Sequence, residues 1–123
     1  MVISLDYGSE TPIYQQLRNQ IVLGIAAGKL SPGDKLPTIR TLAQELGINM
    51  MTVSKAYQTL KQEGYIVSDR RSGARVAAMT KNHAALEKLE AGLRLLVAEA
   101  RVSGISEETL LALCKKLYQE KEI

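Results

Sequence analysis

The sequence predicts an α+β fold: three short helices closed by a β-hairpin, then two further helices of different composition. Three observations predict it. Apolar residues recur at helical spacing in three stretches between residues 13 and 60, each followed by a glycine. Two strand-like segments then flank "RRSG", residues 70–73. From about residue 80, Tyr, Pro and strand formers give way to Ala, Leu, Glu and Lys, with leucines stepping by three and four. At 123 residues the chain has room for one small domain and an appendage; the composition shift divides it into 1–78 and 79–123.

The first helix is predicted from Thr11 and Pro12, a capping hydroxyl with proline at the first helical position, and Ile13, Leu17, Ile21 and Ile25 recur every fourth residue behind them. Gly28 should end it, and "SPGDKL" supplies Pro32 and Gly33 as a turn. A second helix is predicted from Thr38, after Pro37, burying Ile39, Leu42, Ala43 and Leu46. Gly47 breaks it, Ile48 plugs the corner and Asn49 is a good N-cap for a third helix running from Met50 to about Glu63. The apolar stripe of that helix is Val53, Ala56, Tyr57 and Leu60, which turns Met50, Met51, Ser54, Lys55, Gln58 and Lys61 outward. Gly64 closes it, and "YIVSD" and "ARVAAM" form the hairpin, with Gly73 suited to its turn.

In the C-terminal part Leu86, Leu89, Leu93, Leu96 and Ala100 form a heptad seam that Gly104 ends. Ser106 caps a last helix whose Glu107 and Glu108 oppose the positive end of its dipole, and Leu110, Cys114 and Leu117 continue an apolar stripe. A lone helix of this kind has nothing to bury its leucines against. The seam must pack on the last helix or on a second copy of the chain, and a homodimer through Leu86, Leu89, Leu93, Leu96, Leu110 and Leu117 is the expectation.

Composition excludes several function classes. No run approaches the ~20 apolar residues a membrane span needs, and "MVISLDYGSETPIY" lacks the charged-then-apolar pattern of a leader. A cytoplasmic protein is expected, with no membrane partner. One cysteine and one histidine make neither an internal disulfide nor a zinc site, so neither metal nor cofactor is expected. Cys114 reads as a small core residue and His83 as a solvated side chain. Ser54 or Cys114 as a nucleophile would need a base that the sequence does not place, so an enzyme is not expected.

Two helices joined by a short turn containing glycine make the helix-turn-helix plan, whose second helix enters the major groove of DNA. That groove is about 12 Å wide and presents donors, acceptors and thymine methyls. Asn49, Thr52, Ser54 and Lys55 supply hydrogen bonds or charge, and Met50 and Met51 suit thymine methyls. Arg70 and Arg71 stand at the hairpin tip, where a wing would meet the minor groove and its phosphates. Arg40 lies where a side chain and a helix N-terminus together hold a phosphate. Residues 1–78 carry nine Lys or Arg against six Asp or Glu, while residues 79–123 carry seven of each, so the basic excess sits with this candidate site. The plainer alternatives are a solvated helical corner, a solvated turn and surface ion pairs. As a function, the rival is a winged-helix module for protein–protein interaction without DNA.

The run "PIYQQLRNQI…GKLSPGDKLPTIRTLAQELGINMMTVSKAYQTLKQEGYI" resembles the winged helix-turn-helix domain of GntR-family bacterial transcription regulators across roughly residues 10–78. The resemblance rests on the GxLxPGxxLP lead-in, Arg40 in P-T-x-R-x-L-A, the L-G turn, the T-V-x-x-A-Y core and the E-G before the wing, in that order. It implies operator contacts by Arg40, by Asn49 to Lys55 and by the Arg70–Arg71 tip. Met50 stands where members often carry Arg, Ser54 beside Lys55 where many carry Arg or Lys, and Arg71 and Arg75 replace a Gly and the Phe of the usual G-x-G-T-F-V wing, so no base preference carries over. Two Leu-rich C-terminal helices are similar to the small YtrA-type subfamily, which implies a dimeric repressor, often associated with transporter operons. The partner implied is double-stranded operator DNA with two-fold symmetry; an effector, if any, is left open.

Overall fold

The computed structural model describes residues 2–71, 73–79 and 83–120. Its elements are α1 (Ile13–Ala26), α2 (Ile39–Leu46), α3 (Met50–Gln62), β1 (Ile66–Asp69), β2 (Gly73–Val76), α4 (His83–Val102) and α5 (Glu107–Gln119). This is the α+β arrangement of helices and hairpin that the sequence predicts. The chain forms two units, Met1–Met79 and Thr80–Ile123.

In the first unit the predicted apolar stripes meet in one core. Leu17 and Ile21 of α1, Leu42 and Ala43 of α2, and Val53, Ala56, Tyr57 and Leu60 of α3 are buried together with Leu36, Ile66 and Val76. Fully burying a side chain of the Val, Leu or Ile type contributes about 1.5–3 kcal/mol, so a core of this size holds three helices and a hairpin. It is wholly apolar apart from Tyr57, whose hydroxyl donates to the Pro37 carbonyl at 2.7 Å.

Burial, and secondarily the Glu45 carboxylate, pushes the Tyr57 phenol up from 10.0 to about 12. A folded-state value above the unfolded one stabilises fully below about pH 10, and that contribution is lost as pH rises towards 12, amounting to about 1–3 kcal/mol. The Tyr57→Phe variant has no such proton to lose. It should lose about 1 kcal/mol at neutral pH with the hydrogen bond, yet decline less between pH 10 and 12. Urea midpoints across that range check this, and parallel declines in both proteins would refute it.

Where α1 and α3 meet, Arg18 donates from Nε and Nη2 to the two oxygens of Glu63, both at 2.9 Å. The Arg18 guanidinium lies 5.5 Å from the centre of the Tyr65 ring. The Glu63 hydrogen bonds raise the guanidinium pKa against the opposite pull of burial. The pair is mostly shielded from water and fixes the end of α3 on α1.

Helix starts differ from expectation at two points. Thr11 does not cap α1: Pro12 is its N-cap residue, with no side-chain cap. The Gln16 amide instead reaches back to the Asp6 and Thr11 carbonyls at 2.9 and 2.8 Å, and its Oε1 accepts from the Asp6 N–H at 2.8 Å. Thr38 caps α2 rather than beginning it. Its backbone is extended and its Oγ1 accepts from the Thr41 N–H at 3.1 Å, serving a donor that the helix itself leaves unpaired.

The hairpin pairs Ile66 with Val76 and Asp69 with Gly73 at its two ends. Its second strand is shorter than "ARVAAM" suggests. Ala77 still donates to the Tyr65 carbonyl at 3.0 Å, but beyond that the neighbouring chain has turned away into α3. The far edge of β2 is occupied: Gly33 donates to the Val76 carbonyl, Val76 to the Asp34 carbonyl and Leu36 to the Ala74 carbonyl, each at 2.9 Å. The "SPGDKL" turn thus serves as a third strand-like segment, a role that its Pro and Gly did not announce.

The second unit is α4, a turn at Ser103–Gly104, and α5. Ser106 Oγ accepts from the Thr109 N–H at 3.1 Å, the predicted cap. Among the described residues of this unit the heptad seam is not buried. Leu86, Leu89, Leu93 and Leu96 are 50–65% exposed, Leu117 is exposed and Leu110 half-buried, and Ala100 is the one buried residue among those described in this unit.

Candidate nucleic-acid interface

The corner between α2 and α3 is built by three consecutive residues. Gly47 takes the left-handed conformation at φ 66°, which a side chain would strain. The Ile48 N–H returns to the Ala43 carbonyl at 3.0 Å while its side chain packs against the core. Asn49 Oδ1 accepts from the Met51 N–H at 2.7 Å. That cap engages one of the two groups an asparagine needs for paired recognition of adenine. The Asn49 NH2 group is not used by this cap.

The outer face of α3 carries the other sequence-predicted residues. Met51 is 78% exposed and Met50 about half exposed. Lys55 is exposed, and Thr52 and Ser54 are half-buried on the flanks of the helix. On one flank α3 and the start of α1 enclose a cleft of about 600 Å³, lined by Ile13, Tyr14, Met51, Thr52, Ser54, Lys55 and Gln58. Within it Lys55 Nζ stands 4.1 Å from the centre of the Tyr14 ring. On the other flank, α3, the start of α2 and the hairpin enclose about 360 Å³ above Leu36, Pro37, Ile39, Tyr57, Ile66 and Ala74, with Ser54 and Gln58 shared between the two.

Arg40 is exposed in the first turn of α2, just inside the Thr38 cap. Arg70 and Arg71 are exposed beyond the last pair of the hairpin, and the Arg71 N–H donates to Asp69 Oδ1 at 2.8 Å. Arg75 does different work: its Nη1 donates to the Gly33 carbonyl at 3.1 Å, so this cation at the usual Phe position fastens the wing root. The surface thus offers several cations beside a helix face rich in hydroxyl, amide and thioether groups, the chemistry that phosphates and major-groove edges require.

Tyr14 and Gln58 complete this face, and the sequence alone assigns neither a role. Gln58 is legible there as an outward residue of α3. Tyr14 gives no signal, because its neighbour across the cleft lies on another helix. The candidate dimer residues belong to the second unit. Among the described residues no cluster of His, Cys, Asp or Glu is suited to a metal ion, and no helix is long and apolar enough to cross a membrane.

Residues 11–76 match the family model described as "Bacterial regulatory proteins, gntR family". The chain belongs to the GntR family. The HTH-type transcriptional repressor YtrA of Bacillus subtilis (strain 168) is 35% identical over 112 residues, 89% of this chain and 86% of that protein. Among solved structures, YtrA from Sulfolobus acidocaldarius, a GntR-family transcription factor, is 40% identical with a TM-score of 0.61, covering 94% of this chain and 95% of its own. The DNA-binding domain of AraR in complex with operator ORX1 has a TM-score of 0.56 at 28% identity, covering 63% of this chain and 99% of that one. This GntR-family chain is accordingly a DNA-binding transcription regulator with a winged helix, and it falls with the YtrA-like members.

Proposed function

We propose that the protein is a homodimeric repressor in the cytoplasm that occupies a two-fold symmetric operator. Arg40, Asn49, Met50, Met51, Thr52, Ser54 and Lys55 meet the major groove and adjoining phosphates, and Arg70 and Arg71 meet the backbone beside the minor groove. One observation carries this reading. Arg40, Lys55, Arg70 and Arg71 are all exposed, and among the described residues none of the four makes an ion pair, so their charge is available to a polyanion. The open leucine seam of α4 supports the dimer, because contiguous exposed leucines at heptad spacing call for a partner surface. The repressor assignment follows the name of the Bacillus subtilis relative. No catalytic role is assigned.

Salt dependence tests the interface. Binding to a fragment from upstream of the protein's own gene should weaken linearly in log–log form, with a slope of about −0.9 per phosphate engaged. A protein-interaction module would show neither the binding nor the slope. Replacing Arg70 and Arg71 together by Ala should lower the slope by about one for each phosphate that the wing no longer neutralises, with base preference unchanged. An unchanged slope and affinity in that variant would place the wing away from DNA.

A further inference from the structure

We propose that Tyr14 is a positioning residue for DNA binding, its ring holding the Lys55 ammonium at the edge of the recognition face. The inference rests on the reading that Lys55 meets DNA. The ammonium lies 4.1 Å from the ring centre, well within the ~6 Å over which an aromatic face attracts a cation. Lysine has four flexible side-chain bonds and loses much rotamer freedom when it grips a phosphate. A lysine already resting on a ring has part of that freedom removed before DNA arrives.

The kind of partner matters as much as its distance. A carboxylate would hold the ammonium equally well but cancel its charge, and Lys55 has no ion pair among the described residues. An aromatic face restrains the cation while leaving its full charge for DNA, and it occupies one side of the NH3 group, so that hydrogens on the others can still reach oxygens. The geometry also explains why α1 borders the recognition face: Ile13 and Tyr14 form one wall of the cleft whose opposite wall carries Met51, Thr52 and Lys55. Only the first turn of α1 is needed for this, and its next turns bury Leu17 and Ile21 in the core.

The test compares Tyr14→Phe with Tyr14→Leu in the full chain, each with native Lys55 and with Lys55→Ala, using mobility shifts on an operator fragment and thermal melts to confirm folding. With Lys55 present, the Tyr14→Leu protein should bind about two- to fivefold more weakly than the Tyr14→Phe protein, the range of an exposed cation–π contact. In the Lys55→Ala background that difference should vanish. In the free protein, ring current should shift the Lys55 ε-methylene protons upfield in the native and Tyr14→Phe proteins and not in Tyr14→Leu. An equal Phe–Leu difference in both backgrounds, or no ring-current shift, overturns the positioning role. Unchanged affinity and salt slope in Lys55→Ala alone, with the shift still present, overturns the proposal at a different point, because Lys55 then rests on Tyr14 without meeting DNA.

Discussion

Replacing Leu93 by aspartate is expected to give a monomer whose first unit remains folded and whose affinity for a full operator falls by ~10²-fold or more. Leu93 sits mid-seam on α4, half exposed in the single chain. In a dimer formed through that seam, the new carboxylate would lie unpaired between apolar side chains, at a cost of several kcal/mol. In the monomer the same carboxylate faces water and costs little. Two recognition helices joined by the dimer would meet half-sites ~34–36 Å apart, or a multiple of that. Separated, they lose the high effective concentration that makes the second half-site encounter nearly intramolecular. Sedimentation read beside a mobility shift decides the matter. A Leu93→Asp protein that stays dimeric, or a monomer binding as tightly as the parent, would sink the scheme.

Removing the Arg40 side chain is expected to weaken operator binding by about ten- to a hundredfold, the 1–3 kcal/mol typical of an arginine contact with DNA. The fold should not notice. Arg40 is exposed and its side chain makes no ion pair among the described residues, so Arg40→Ala should change stability by no more than about 0.5 kcal/mol. The α2 N-terminus is held by Thr38, which the substitution leaves in place. Arg40→Lys separates charge from shape. A lysine that restores most of the affinity means a point charge beside a phosphate suffices, whereas a lysine little better than alanine means the planar fork of the guanidinium is used. Unchanged affinity in Arg40→Ala, with a normal circular dichroism spectrum, removes Arg40 from the interface.

Most of the fold is legible in the sequence because its determinants are local. Val53, Ala56, Tyr57 and Leu60 announce the buried side of α3 by spacing, and the corner is announced by Gly47, whose left-handed conformation few other residues supply, and by Asn49, whose side chain suits a cap. The candidate recognition face follows as whatever α3 leaves outside. What escapes is pairing between residues distant in the chain. Nothing near Gln16 says that it will hold Asp6, nothing near Arg75 says that it will reach Gly33, and Tyr14 borders the outer face of α3 only because α1 packs on α3. Thr11 shows the converse error: a good capping residue can lose its role when a longer side chain one turn into the helix takes up the approaching chain. The leucine seam lies between these cases. Its period is written in residues 86–96, but among the described residues those leucines stay half or more exposed.

The third segment along β2 bears on how the wing can meet DNA. With Gly33, Asp34 and Leu36 bonded to one edge of β2 and β1 to the other, the wing is clamped to within a few residues of its tip. If the wing meets DNA as proposed, a wing anchored in this way would enter a groove as a stiff blade. Little backbone entropy remains to be lost at its root, and adjustment falls to the side chains of Arg70 and Arg71. A blade held by these bonds would have little freedom to widen or bend, which would leave the DNA to present the right groove. Stretches whose minor groove is already narrow, with the deeper negative potential that narrowness brings, would suit two arginines on a fixed mount better than wide ones. Such a preference would be written in the flexibility of the operator, at base pairs the protein never touches.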